Sequence, residues 1–566
     1  MDPQTTYDRR WIGLGVLCLS LLVVGLDNTI LNVALPRLAD DLGATTSQLQ
    51  WIVDGYTLVF AGLLLTAGSL GDRYGRRSAL SIGLVIFVLG SIASGLATSA
   101  GMLIATRSVM GVGGALIMPA TLSLLTNIFT DPKERAKAIG IWAGVSGIGV
   151  AVGPMLGGYL LEHFSWGSVF FVNVPVVAVA LPAGYLLLPN SRAEDSQPLD
   201  PAGAVLSIVG LVAMVWAIIE APAKGWGSPE VVGAFAVGAV TLGAFLWWER
   251  TTPHPMLDIR FFRNRRFSAA NLAVTLTFFA MFGSGFVLTQ FMQFVLGFSP
   301  LEAGIRSVPI ALALMIVAPQ STKLAHRIGT KLTVAGGLAI VAVGMAVAAT
   351  VTPELGYGRV LPAQILLGIG IALAMAPATE SIMGSLPREK AGVGSAMNDT
   401  TRQVGGALGV AVIGSVLSSQ YGPAVTSRLG GLGLPSAVVE PASDSIGQAM
   451  AVAARLGGDP RAIDTPVGTQ VADAARDAFA SSMGRGLLVA AGFALIGALV
   501  ALVFLPARAA EDATGAVDVD EDDALTSFAA TPELGGAEAV LLRQEAFDGG
   551  GGEPDRHDDL EPTPVD

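Results

Sequence analysis

The chain has 566 residues, 52% of them hydrophobic and only 14% charged, a balance far too apolar for a soluble protein of this size. Its net charge of -12 misleads, because the segment from Arg508 onward holds 17 Asp and Glu against 3 Arg and leaves the rest slightly basic. A single cysteine, Cys18, excludes a disulfide framework and a cysteine metal site, and the four histidines show no metal spacing.

Apolar runs of about 20 residues, enough to cross a hydrocarbon core as helix, recur from Trp11 almost to Pro506. Period-two polarity is absent, so the spanning elements are helices with every backbone group satisfied internally, and the expected fold class is an all-α polytopic membrane protein. The sequence predicts fourteen spans: 12 to 36, 50 to 70, 79 to 97, 102 to 128, 137 to 161, 168 to 189, 201 to 220, 231 to 249, 267 to 295, 303 to 321, 332 to 350, 360 to 383, 393 to 418 and 484 to 505. The first span has no small-residue cleavage site and reads as a retained helix.

In the first span Asp27 lies past the middle with no lysine or arginine one helical turn away. A charge inside a span costs roughly 2.5 to 3.5 kcal/mol on insertion scales, so it asks for a reason. Proton or cation coupling is one. A structural aspartate bonded to Asn28, Thr29 or Asn32 is the other. Asp54, near the outer end of the second span between Trp51 and Tyr56, suits proton exchange or a solvated cap. The connection that follows holds Gly71, Asp72, Arg73, Gly75, Arg76 and Arg77, whose glycines allow a tight turn and whose charges can pair and hold two helix ends together. Arg107 in the fourth span is placed either to pair with an acid or to snorkel to the surface. In the fifth, Gly149, Gly153, Pro154, Gly157 and Gly158 allow close helix approach and a bendable backbone.

The ninth span carries Phe282, Phe286, Gln290 and Met292 among other aromatic and thioether side chains, suited to an adaptable pocket for bulky lipophilic compounds or to plain packing. Glu380 in the twelfth span is a further acid toward the cytoplasmic mouth; with Asp27 it joins the candidate substrate set. Asp399 and Arg402 are three apart in the thirteenth, on one helix face, and either act in coupling or neutralise each other.

Short-loop cations (Arg73, Arg76, Arg77, Arg135, five arginines from Arg250 to Arg266, Arg327, Lys331 and others) fall on one side, which places both termini in the cytoplasm. The long polar connection of about 419–483 then lies outside, where Val471 to Ser482 suits a surface helix, and the tail 507–566, rich in Gly, Pro and acid, is expected to be disordered. Leu70 to Arg77 is echoed by Leu324 to Lys331 at an offset of 254, with His326 where Asp72 would be, and Met118 to Thr121 by Ala376 to Thr379 at 258. Two echoes predict two six-helix halves, 1–189 and 267–506, separated by 190–266 with two inserted helices, the parallel-repeat plan of a transporter whose site lies between halves.

Four of these stretches resemble signatures of the major facilitator superfamily, and within it the fourteen-helix drug:proton antiporter branch. Gly68 to Leu80 is similar to the loop signature between helices two and three, Leu26 to Pro36 to the branch's first-helix signature, Arg107 to Gly114 to the fourth-helix arginine motif, and Gly149 to Gly158 to the fifth-helix antiporter motif. The resemblance implies the major facilitator fold in a bacterial cell membrane and export of hydrophobic or cationic drugs in exchange for protons. It implies no cofactor, since the proton gradient drives the cycle, and Arg107 as part of the proton route. At Asn398-Asp399 quaternary-ammonium exporters of the branch often carry two adjacent acids; here one is an amide. No enzyme motif, phosphate-binding loop or nucleic-acid element is present, and a monomer in the lipid bilayer is expected. A dedicated exporter of one endogenous metabolite or antibiotic is the alternative, and a non-transporting membrane scaffold a weaker one.

Overall fold

The structure is a computed structural model that describes residues 9–192, 200–386, 391–430, 434–456 and 466–506. The expected disordered tail lies outside them. Helices follow one another as α1 (Arg10–Leu42), α2 (Thr46–Tyr74), α3 (Arg76–Gly95), α4 (Ala100–Ile128), α5 (Pro132–His163), α6 (Ser168–Leu187), α7 (Pro201–Lys224) and α8 (Pro229–Thr251). After a 3-10 turn at Ile259–Arg263 come α9 (Arg265–Gln290, continued by a π-turn Phe291–Val295), α10 (Pro300–Ile328), α11 (Thr330–Ala349), α12 (Tyr357–Gly384) and α13 (Ala391–Gly430). Two short helices, α14 (Ser436–Asp444) and α15 (Ile446–Leu456), precede α16 (Pro466–Phe504). No strand occurs among the described residues. Among the described residues, twelve helices are long and apolar enough to cross a membrane, or thirteen when α2, bent by 54° between Leu64 and Thr66, is taken as one span. The outer faces of α8 and α16 expose Val240, Leu246, Trp247, Leu499 and Val503, the apolar surface a helix turns to lipid.

The internal repeat is built into the backbone. Gly75 between α2 and α3 has φ +113°, and its echo Gly329 between α10 and α11 has φ +95°. A side chain is strained there, so glycine sets both tight turns. Thr45 and Ser299, again 254 apart, each open a helix with a reciprocal capping box, to Gln48 and Glu302. The helices so bounded match in length: α2 and α10 have 29 residues, and α3 and α11 have 20.

The connections collect at two ends of the bundle. At one, named here the Gly75 end, Arg10 pairs with Glu134 at 2.8 Å, Arg76 N–H donates to the Ser191 carbonyl at 3.0 Å, and Thr66 reaches Met256 at 3.3 Å. At the other, the Gly43 end, Thr46 donates to the Asp444 carbonyl at 3.1 Å and Gln448 to that of Gly43 at 3.1 Å. The expected long loop of 419–483 is mostly helical: α13 runs twelve residues past its predicted end at 418, and α16 begins at Pro466 rather than 484. The sequence expectation stopped where hydropathy fell, but a helix continues past the hydrocarbon when one stripe stays apolar, here Val471, Ala472, Ala475, Ala478 and Phe479, all buried.

Candidate functional site

Hydrogen bonds that join α1–α6 to α9–α16 gather toward the Gly43 end. Gln50 donates Nε2 to the carbonyls of Val410 at 3.1 Å and Ala411 at 3.0 Å, Gln293 donates to that of Val33 at 2.9 Å, and the Ser299 hydroxyl meets Glu162. The fifth-helix glycines serve two seams. Gly149, Gly153 and Gly157 face α1, where a Cβ on Gly149 would sit 3.3 Å from the Gly25 carbonyl carbon, one on Gly153 would strike Thr29, and one on Gly157 would sit 3.1 Å from Ile30. Gly158 faces α10 instead: its Cβ would lie 2.5 Å from Leu301 Cα. The Pro154 carbonyl in turn occupies the place of a Cβ on Gly304. Glycine on both helices is what brings the two backbones together and shuts this end.

Beneath the shut end, between the repeats, lies a cavity of about 120 Å³ lined by Thr29, Asn32, Pro154, Met281, Phe282, Met292 and Gln364, among others. Of the four ninth-span candidates, Phe282 and Met292 reach this wall. Phe286 is fully buried in the core, and Gln290 turns its amide to its own helix, donating to the Phe286 carbonyl at 3.0 Å. Helix α9 is buried nearly all round, so periodicity could not pick its cavity face. Glu380 is exposed near the Gly75 end of α12.

Asp27 does not line the cavity. Its Oδ2 accepts from Arg107 Nη1 at 3.0 Å, with both side chains 2% exposed or less. Arg107 also donates Nε to the Ile52 carbonyl at 2.6 Å and stands over the rings of Tyr56 at 4.9 Å and Phe170 at 5.9 Å. Four helices thus position one ion pair, covered by Phe170, which sequence reasoning passed over, and by Tyr56, which it noted only beside Asp54 near the outer end of the span and which is fully buried. Nearby on α2, Asp54 is fully buried, and neither carboxyl oxygen has a hydrogen-bond partner among the described residues. Asn28 and Thr29 bond carbonyls of their own helix, at 3.1 Å each.

Asp399 pairs with Arg402 at 3.6 Å, and Arg402 stands 5.4 Å over Phe278 and donates to Thr379 at 3.4 Å. The neutralising pair anticipated from their spacing is formed. The 68–80 stretch, expected as a connection between spans, is helical except at Gly75, and in it Arg76 donates to Asp72 at 2.8 Å. Arg77 donates to the carbonyls of Tyr185 at 3.1 Å and Leu188 at 3.3 Å, and stands over the Tyr185 ring at 4.9 Å. A Cβ on Gly75 would collide with Asn190, 2.4 Å or more from its amide atoms. These contacts tie the loop to α6, within the first repeat. Gly71 sits 3.4 Å, by the same test, from Ala79. Arg73 lies over Tyr74 at 5.7 Å.

Comparison with known proteins matches this architecture. The sequence model of the Major Facilitator Superfamily matches residues 17–410. The chain is 38% identical over 500 residues to the multidrug efflux pump LfrA of Mycolicibacterium smegmatis, covering 88% of this chain and 97% of that protein. It is 34% identical to the tetracenomycin C resistance and export protein of Streptomyces glaucescens, covering 87% and 91%. Among solved structures, a bacterial homolog of the human lysosomal transporter Spinster, in an inward-facing and unoccupied conformation, superposes with TM-score 0.61 at 19% identity over 87% of this chain and 98% of that one. With two repeats closing over a central cavity, and with its family sequence pattern spanning most of its length, the chain belongs to the Major Facilitator Superfamily.

Proposed function

We propose that this multi-pass membrane protein is a secondary active efflux transporter that exports hydrophobic, often cationic small molecules in exchange for protons. The observation that carries the reading is the Asp27–Arg107 pair: a carboxylate buried in the first repeat, held by one cation, two turns of helix or less from the Thr29 and Asn32 side chains that line the cavity. Protonation removes the charge that holds Asp27 to Arg107, so proton binding and helix position become one equilibrium. Asp54, buried without a partner, is the next stop for a proton: an ionised carboxylate there has nothing to offset its desolvation. Asp399, already paired, has a supporting part.

Helix α5, 32 residues long and packed between α1 and α10, and the bent α2 bring the spans to fourteen in a six, two, six layout, 1–189, 190–266 and 267–506. The arginine-rich loops place the Gly75 end and both termini in the cytoplasm. A bundle shut at its Gly43 end is then shut toward the outside. On this reading the Asp72 segment is a latch that secures the opposite state. Asp72→Asn slows turnover several-fold and leaves substrate affinity within about twofold; a variant with normal turnover and weak binding contradicts the role.

The cavity wall names a substrate class by its chemistry. Phe282, Met281 and Met292 offer ring faces and polarisable thioethers, while Asn32 and Gln364 supply the few hydrogen bonds. No carboxylate is among the wall residues, so a cation is held by ring faces and amides rather than by Asp27. Phe282→Ala therefore weakens planar, aromatic substrates by about tenfold and spares small aliphatic ones, read as resistance profiles across a compound panel. The same panel of dyes and antibiotics, with and without an uncoupler, tests the function: uncoupler-sensitive efflux of several chemically unrelated compounds supports it. Efflux of a single compound favours the second reading, a dedicated exporter of one metabolite, for which the tetracenomycin relative is the precedent. No cofactor takes part, and the monomer is the working unit.

A further inference from the structure

The two inserted helices α7 and α8 hold an acid pair that the transport reading does not use. Asp200 opens α7 and Glu249 nearly closes α8; they are 9% and 3% exposed. Asp200 accepts from the Gly203 N–H at 2.8 Å and from Trp248 Nε1 at 2.9 and 3.0 Å. Glu249 Oε2 accepts from the Leu257 N–H at 2.8 Å. Its other oxygen, Oε1, is buried and has no hydrogen-bond partner among the described residues. Asp200 Oδ2 and Glu249 Oε1 converge over Gly203, 2.5 and 2.6 Å from where a Cβ on that residue would be, so only glycine leaves room for them.

Two carboxyl oxygens that face each other, with no donor between them, are joined only if one carries a proton; two bare carboxylates repel. The surroundings supply no substitute. Among the described residues, the charged and titratable groups that share the groove with Glu249 are Arg250 on α8 and His254, Asp258, Arg260 and Arg263 on the connection to α9. No lysine or arginine makes an ion pair with either acid among the described residues. Helices α2 and α13 meet the hairpin farther along with Leu58, Ala407 and Ala411, against Val215 and Ile219 of α7.

We propose that Asp200 and Glu249 form a second proton-binding site, distinct from Asp27, that senses the compartment at the Gly75 end and sets how the α8–α9 connection is held. The link is direct. Leu257, whose N–H is bound by Glu249, is buried in the cluster that includes Phe245, Phe267 and Ala270, at the root of the cavity-lining helix α9. The hairpin itself rests on α2 and α13, one helix from each repeat, so a change in it bears on both. Proton loss sets two carboxylates against each other and releases Leu257; proton binding locks it.

Infrared difference spectroscopy of the full-length protein in proteoliposomes, titrated with pH in sodium-free buffer, tests this without any transport assay. The wild type shows a protonated-carboxyl band that Glu249→Gln and Asp200→Asn each remove alone, because the two groups share one proton. Either amide also supplies the missing donor permanently, so the exchange protection of the Leu257 N–H, which falls at least tenfold above the midpoint in the wild type, becomes independent of pH. A band that survives both substitutions, Leu257 protection that never varies with pH, or a transition that follows sodium rather than protons overturns the proposal. The two variants guard against one failing to fold.

Discussion

Asp27→Asn abolishes proton-driven efflux while the protein still inserts and folds. Asparagine keeps the shape of the side chain and an oxygen that can accept from Arg107, so the 3.0 Å contact survives as a weaker hydrogen bond, but no proton can be taken up or released there. Arg107 stays anchored without the carboxylate, by Ile52 at 2.6 Å and by the Tyr56 ring, so its burial is only partly uncompensated. The reverse substitution is harsher. Arg107→Ala leaves Asp27 buried and alone, a loss on the order of 3 to 5 kcal/mol for breaking one side of a buried pair, and it lowers the yield of folded protein as well as activity. Detergent size-exclusion profiles read folding and energised-cell efflux reads function; full efflux by Asp27→Asn sinks the coupling assignment.

Gly304→Val blocks the cycle at a different point. The Pro154 carbonyl fills the place of its Cβ, and Gly158 meets the Pro300–Leu301 backbone just as closely from the other side. Backbone atoms cannot rotate away as a side-chain tip can, so the added carbons hold α5 and α10 apart at the Gly43 end. Overpacking of this kind costs about 1 to 3 kcal/mol, and here it falls on the shut state alone, which shifts the balance between states by roughly tenfold to a hundredfold. Transport falls in proportion. Cysteines at Glu162 and Ser299, in a background with Cys18 replaced, cross-link readily in the parent and poorly in the valine variant. Equal cross-linking contradicts the account. Gly149→Ala, whose Cβ would stay 3.3 Å from Gly25, is tolerated far better.

Periodicity and spacing carried the helices, the repeat and the glycine seams, because these depend on local pattern: the offset of 254 that links Leu70 to Leu324 also links the two capping boxes and the two positive-φ glycines. Long-range pairing was not legible. Asp27 and Arg107 are 80 positions apart, and each was singled out by its place inside a span and by the motif it belongs to, with nothing in the chain to say that these two meet. Phe286 and Gln290 share the composition of the cavity wall but point into the core, which no one-dimensional pattern resolves on a helix buried all round. Asp200 and Glu249 were passed over; their burial comes from the hairpin fold, which no local pattern shows. In the connection of 419–483 only the stretch from Val471 to Ser482 was read as a helix; the rest was missed where mean hydropathy had fallen.

The central claim is that substrate and proton move in opposite directions through one coupled site. Purified protein in vesicles loaded with a cationic dye and a pH indicator, with no imposed gradient, puts that to a single test: an outward dye gradient should drive protons inward, with a fixed ratio that Asp27→Asn reduces to zero. Dye leaving through the wild-type protein with no accompanying proton movement would contradict it.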